Sequence, residues 1–207
     1  MWLLAMVLGT LGIIFNVFLA WPQVWRAARV GAEGVAIGTV LIGFLARALW
    51  SAYAVRLHDP TLFIGQAPAG LGLLAVAFFV SRDRRHVSRR AAWTMWTGLV
   101  VAVAVSSVIV MISPVIFTVL AVGIAAIASL PQLFRVLAAP ERSSGVSVAM
   151  QWFTAAASTC WLTYGLVTGN WVISLPHLVL LPAAVITACV VLRARRSPAP
   201  RMAVAFP

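Results

Sequence analysis

The sequence is poor in the residues that make a water-facing surface. Of its 207 residues only 9% are charged, lysine is absent, and four acids stand against fifteen arginines. Soluble domains carry about 25% charged residues, so a water-soluble globular domain is excluded. Cysteine is scarce: Cys160 and Cys189 are the two present, at no metal-ligand spacing, which removes a disulfide framework or a thiolate metal site. Both fall inside apolar runs and are expected to be buried packing residues. No nucleophile–base pair, metal-ligand cluster or phosphate-binding loop stands at usable spacing, so neither enzyme chemistry nor a metal or cofactor is expected. No basic stretch precedes the first apolar run, so that run reads as a span and not as a cleaved signal peptide.

What the sequence has instead is apolar length, at 63% hydrophobic residues. A spanning helix takes about 20 apolar residues. Seven runs meet that need, near 2–21, 35–55, 61–80, 94–112, 115–137, 146–167 and 171–192. All are expected to be helices, because lipid leaves no external partner for backbone groups, and the runs are too continuous for barrel strands. The net charge of +11 is segregated. Arg26, Arg29, Arg82, Arg84, Arg85, Arg89, Arg90, Arg135, Arg142, Arg193, Arg195, Arg196 and Arg201 flank one set of span ends, and the other set has Arg56 beside Asp59. By the positive-inside rule the N-terminus is outside and the C-terminus cytoplasmic, in a plasma (inner) membrane. Nucleic acid is not an expected partner, since no basic stripe is interleaved with aromatics on a soluble fold. Trp2 and Trp171 then fall at the outer interface, and Trp21, Trp25, Trp93 and Trp96 at the inner one. The arginine run over 81–90 fixes topology and is also a candidate contact for anionic lipid.

The sequence repeats itself. Pro22-Gln23-Val24-Trp25-Arg26 returns as Pro131-Gln132-Leu133-Phe134-Arg135. Gly34-Val35 returns as Gly145-Val146, and Trp50-x-x-Tyr53 as Trp161-x-x-Tyr164 in the same register. The expected fold is therefore all-α, with seven transmembrane helices as two parallel triple-helix repeats joined by a linker helix. Residues 1–90 form the first repeat with its basic loop, 91–113 the linker, 114–192 the second repeat and 193–207 a basic tail. A three-span unit fused directly to its copy would be inverted; the fourth span restores parallel orientation. Parallel repeats about an axis along the membrane normal are one of the transporter designs.

Depth picks out candidate site residues. Counting from the inner end of span 2 at 1.5 Å per residue, Trp50 lies about 22 Å in, and Gln66 on span 3 reaches a similar level. Trp161 and His177 repeat that arrangement, giving two aromatic faces and two polar groups at one depth. Arg47 lies near the middle of span 2, with no acid inside any span. Such a charge requires a partner or a polar cavity; it points either to an anionic solute or to an arginine capping carbonyls, and Asn16 is a candidate partner. The two Pro-Gln pairs, Pro22-Gln23 and Pro131-Gln132, stand at matching span ends and are candidate hinges, because proline removes a helix hydrogen bond.

The doubled Pro-Gln signature in a 3+1+3 layout resembles the PQ-loop repeat superfamily. Trp161-Leu162-Thr163-Tyr164-Gly165 followed by Pro176-His177 is most similar to the SWEET and SemiSWEET sugar transporters, which usually have Pro-Asn at the last pair. The resemblance implies facilitated, alternating-access diffusion of a small polar solute, a sugar first. It implies a substrate-stacking role for Trp161 and a pocket role for His177, with Trp50 and Gln66 as counterparts. It also implies a cytoplasmic gate at Pro22, Gln23, Pro131 and Gln132, and an extracellular gate at Tyr53 and Tyr164. Two alternatives follow from Arg47: an amino-acid or organic-acid carrier, or a non-transporting receptor similar to the KDEL receptor in its seven-span design.

Overall fold

A computed structural model describes residues 1–30, 37–142 and 146–196, except for the side chains of Ala20, Pro22, Gln23, Arg26, Val30 and Arg142. The repeated Gly-Val pair and Arg201 fall wholly or partly outside these residues. Eight α-helices and one short 3-10 turn are present among them: α1 Trp2–Val30, α2 Ile37–Leu57, α3 Pro60–Arg82, α4 Arg89–Ile112, α5 Pro114–Ala138, the turn Pro140–Arg142, α6 Val148–Val167, α7 Trp171–Ser174 and α8 His177–Arg196. Their starts follow from local chemistry. Asp59, Ser88, Ser113 and Ser147 each accept a first-turn backbone N–H through the side chain, and Pro60 and Pro114 occupy first positions where no N–H is needed.

Six stretches are long and apolar enough to cross a membrane: Trp2–Leu19, α2, α3, α4, α5 and Trp171–Arg196. Large apolar side chains point outward all along them, among them Val100, Met111, Val115 and Val119, each 65–74% exposed, which suits a surface solvated by lipid. This is the architecture of an integral, multi-pass helical membrane protein. The expected sixth span is present as α6 but does not reach that apolarity, because Gln151, Thr154, Ser158, Thr159 and Thr163 dilute it; it packs between α1 and α8. The expected seventh is bent: α7 stops at Ser174, and a turn at Leu175-Pro176 precedes α8. Cys189 is exposed, contrary to expectation, whereas Cys160 is buried and both are free thiols.

Packing is paired. α3 lies against both α1 and α2, and α8 lies against both α5 and α6; α1 meets α6 and α2 meets α5 across the middle, while α4 leans on α2. Two turns also match in the register that aligns Trp50 with Trp161. His58 and Gly169 are both left-handed, with φ of 54° and 73°. The next amide closes the turn in each, Asp59 N–H to Ala54 C=O at 3.0 Å and Asn170 N–H to Gly165 C=O at 2.8 Å. These are two Schellman endings, built alike.

The apolar core divides by end. At the arginine-rich end one cluster joins Ala27, Val40, Val76, Val80, Val87 and Met95, from α1 to α4 alone. At the opposite end the second cluster joins Leu49, Leu62, Val110, Phe117, Tyr164 and Ile173, and so ties α1–α4 to α5–α7.

Candidate solute site

Between α1–α3 and α5–α8 lies a cavity of about 610 Å³, within the range of small-molecule sites. Arg47, Trp50, Gln66, Trp161 and His177 all line it, so one space holds the five side chains singled out by depth. The lining continues through Leu19, Thr39, Ile127 and Thr154 toward the arginine-rich end. On α2 and α6 the described lining stops short of Tyr53 and Tyr164 in the other direction.

Arg47 is met by Gln66. Its Nη1 donates to Gln66 Oε1 at 2.6 Å, and its stem packs over Gly70, where an added Cβ would sit 3.6 Å from Arg47 Cβ. Asn16, the candidate partner, is instead spent on the backbone, its Nδ2 donating to Gly65 C=O at 3.0 Å. No ion pair to Arg47 exists among the described residues. His177 enters the cavity wall as the first residue of α8, directly after the Leu175-Pro176 turn.

The two tryptophans are not equivalent. Trp161 is 2% exposed and its indole lies in a notch of α1 and α3: a Cβ added to Gly12 would come within 2.8 Å of the ring, and one on Gly65 within 2.5 Å. A ring so enclosed has little free face for stacking, contrary to the pair of faces expected. Trp50 keeps partial exposure and is braced edge-on by Phe117, with centroids 5.1 Å apart at 84°. The more accessible aromatic face is therefore that of Trp50.

The end opposite the arginines is shut by cross-bonding. Tyr53 donates to Asn170 Oδ1 at 3.3 Å, and Tyr164 donates to Asp59 Oδ2 at 2.8 Å. Each tyrosine thus reaches the helix-start residue of the other half, and the two hydroxyls bond these acceptors and not each other. Asp59 also holds the Leu62 amide through Oδ1 at 2.9 Å. Phe117 stacks on Tyr53 at 4.4 Å and 15°, and Arg56 donates to the Val110 carbonyl. Asp59, Asn170 and Phe117 were missed in the sequence, although the register that pairs Tyr53 with Tyr164 also pairs Asp59 with Asn170. Gly165 is needed for contact, since a Cβ there would lie 2.3 Å from Ser174 Oγ and 2.8 Å from the Asn170 carbonyl.

The Pro-Gln elements do not end their helices. α1 runs on to Val30 and α5 to Ala138, with Pro131 inside. Pro131 has no N–H for the Ile127 carbonyl one turn back, and Ile127 lines the cavity. Gln132 is half-buried and outside the cavity lining; the side chains of Pro22 and Gln23 lie outside the described residues. Along the arginine run, Asp83 engages His86 at 2.9 Å, and Arg82 lies over the Phe78 ring.

No known protein family's sequence pattern matches the chain, and no curated protein matches it either. Among solved structures it is similar to a eukaryotic SWEET transporter, at a TM-score of 0.77 and 15% identity, covering 94% of this chain and 98% of that one. At that identity the likeness is one of fold: the chain has the SWEET-type helical fold.

Proposed function

We propose that the chain is a membrane carrier that moves a small polar solute by alternating access, and is not an enzyme. One observation carries this reading: a central cavity with polar side chains, with reciprocal bonds between the halves at one end and a lining that runs through Leu19, Thr39 and Thr154 toward the other. The halves are two parallel triple-helix repeats, 1–90 and 114–192, with 91–113 as linker. The N-terminus is outside and the arginine-rich end cytoplasmic, which makes this conformation the inward-facing one. Pro22-Gln23 and Pro131-Gln132 act as hinges on the cytoplasmic side, and Tyr53 and Tyr164 close the outer side. Trp50, Gln66, Trp161, His177 and Arg47 bind the solute. A sugar is the substrate class favoured by the sequence resemblance, with Trp50 as the ring on which it stacks; Arg47 favours a second class, argued below.

The test is uptake of labelled sugars, hydroxy acids and amino acids into proteoliposomes, with and without a proton gradient. The expected result is uptake of at least one solute that saturates and drops at least about tenfold in Trp50→Ala, the loss of about 1.4 kcal/mol or more of contact. Uptake of no solute by folded, reconstituted protein contradicts the carrier reading and favours a receptor.

A further inference from the structure

Arg47 is the single formal charge on the cavity lining among the described residues, and its contacts bear on what the cavity can hold. The fully described acids are all elsewhere. Asp59 is taken by Tyr164 and the Leu62 amide and stands seven positions before Gln66, about 10 Å along α3. Asp83 and Glu141 lie past helix ends on the arginine-rich side. A guanidinium kept at mid-span with a neutral partner alone is costly, and truncating or pairing it are the usual remedies.

The contact with Gln66 makes the site more cationic in character, not less. Arginine has no acceptor, so the Gln66 atom facing Nη1 is its carbonyl oxygen by chemistry and not by choice of rotamer. One of the two lone pairs of that oxygen is taken by Arg47, and Gln66 keeps its amide NH2, a donor, beside the unspent N–H groups of the Arg47 fork. Asn16, also on the lining, has its amide nitrogen tied to Gly65. The wall formed by α2 and α3 therefore presents several donors and one positive charge, an arrangement that takes a carboxylate in two parallel bonds.

The opposite wall says what the rest of the solute is. In the repeat register Arg47 corresponds to Ser158, which lines the cavity and is 2% exposed. Gln66 corresponds to His177. The second half thus offers neutral polar groups and no second cation, so the solute carries one anionic group. No acid among the described lining residues answers a solute ammonium, which favours a solute without one over a zwitterionic amino acid.

We propose that the cavity selects small organic monoanions, a sugar acid or hydroxy acid whose carboxylate seats on Arg47 and the Gln66 amide, with its hydroxyl-bearing part toward Ser158 and His177. This rests on the carrier reading for the transport of that solute, but not for its binding. Carrying a monoanion alone moves one negative charge per cycle.

The matched probes are glucose and glucuronate, which differ by a carboxylate in place of a terminal hydroxymethyl, with lactate as a small hydroxy acid. Binding to the purified full chain is read by calorimetry, and uptake into proteoliposomes under an inside-positive potassium–valinomycin potential. Glucuronate or lactate is expected to bind at least about tenfold tighter than glucose, with uptake accelerated by the potential. Arg47→Gln is expected to lose that preference, weakening glucuronate and lactate binding at least about tenfold more than glucose binding. Arg47→Lys, which keeps the charge without the fork, should retain part of it, and serves if the glutamine variant does not fold. Glucose binding equal to or tighter than glucuronate, or no binding of either acid, overturns the proposal. Anion binding without uptake leaves it standing and sinks the carrier reading. Potential-independent glucose uptake that ignores Arg47→Gln does the reverse.

Discussion

At the scale of single residues, the contrast between Trp161 and Trp50 shows what one-dimensional depth leaves out. Spacing placed both rings at one level, and both line the cavity. It could not say that Gly12 and Gly65 open a notch which encloses Trp161, because that depends on how closely α1 and α3 approach α6. Arg47 was legible as an anomaly for the opposite reason: a charge amid apolar residues needs no three-dimensional context to stand out. Its partner was not legible, since Gln66 and Asn16 are both polar residues at plausible depth, and only the packing of α2 on α3 decides between them. The notch makes a prediction. In Gly65→Ala the new methyl would lie 2.5 Å from the indole, so the ring must shift, at a cost of about 1–3 kcal/mol. Thermal unfolding in detergent should show a lowered midpoint, and pairing the change with Trp161→Phe should recover part of it. A midpoint unchanged from the parent would mean that the indole is not wedged there.

At the scale of elements, helix existence and order followed directly from the apolar runs, while ends and bends did not. The α1 boundary was set too early, at 21 where the helix runs on to Val30, because Pro22 reads as a stop, yet a proline costs a helix one hydrogen bond and need not end it. The α7–α8 bend escaped notice because the apolar run is continuous through Leu175-Pro176. The matched Schellman turns were also hidden, since one copy uses glycine and the other His58, a residue strained at φ 54°. A left-handed backbone costs a side-chain-bearing residue about 1 kcal/mol relative to glycine. His58 is exposed, so His58→Gly should raise stability by up to about 1 kcal/mol, seen as a higher unfolding midpoint, and the same protein with Gly169→Ala should lose a comparable amount. A destabilised His58→Gly would show that the histidine side chain contributes more than its backbone strain removes.

At the scale of the whole molecule, the internal repeat was the most informative feature of the sequence, because it fixed which residues face each other across the middle. The asymmetry of the closed state was not readable from it. In the proposed carrier two halves can close at either end, and packing favours one: the cluster around Phe117 and Leu62 joins α1–α4 to α5–α7, whereas the cluster around Met95 stays within α1–α4. The reciprocal tyrosine bonds lie at the joined end. Their strengths differ, since Tyr164 meets a carboxylate at 2.8 Å and Tyr53 a neutral amide at 3.3 Å; the charged one is worth roughly 1.5–3 kcal/mol and the neutral one about 0.5–1.5. The most direct measurement is labelling of a cavity thiol from either side of the membrane. Ala46→Cys, in a background with Cys160 and Cys189 replaced by alanine, places one thiol on the cavity wall. A membrane-impermeant maleimide should label it from the arginine-rich side and scarcely from the other. Outer-side labelling should rise severalfold in Tyr164→Phe, less in Tyr53→Phe, and most when both are changed, as inner-side labelling falls. Outer labelling that is already high in the parent, or that the tyrosine changes leave unmoved, would contradict a carrier whose cavity is exposed to one side at a time.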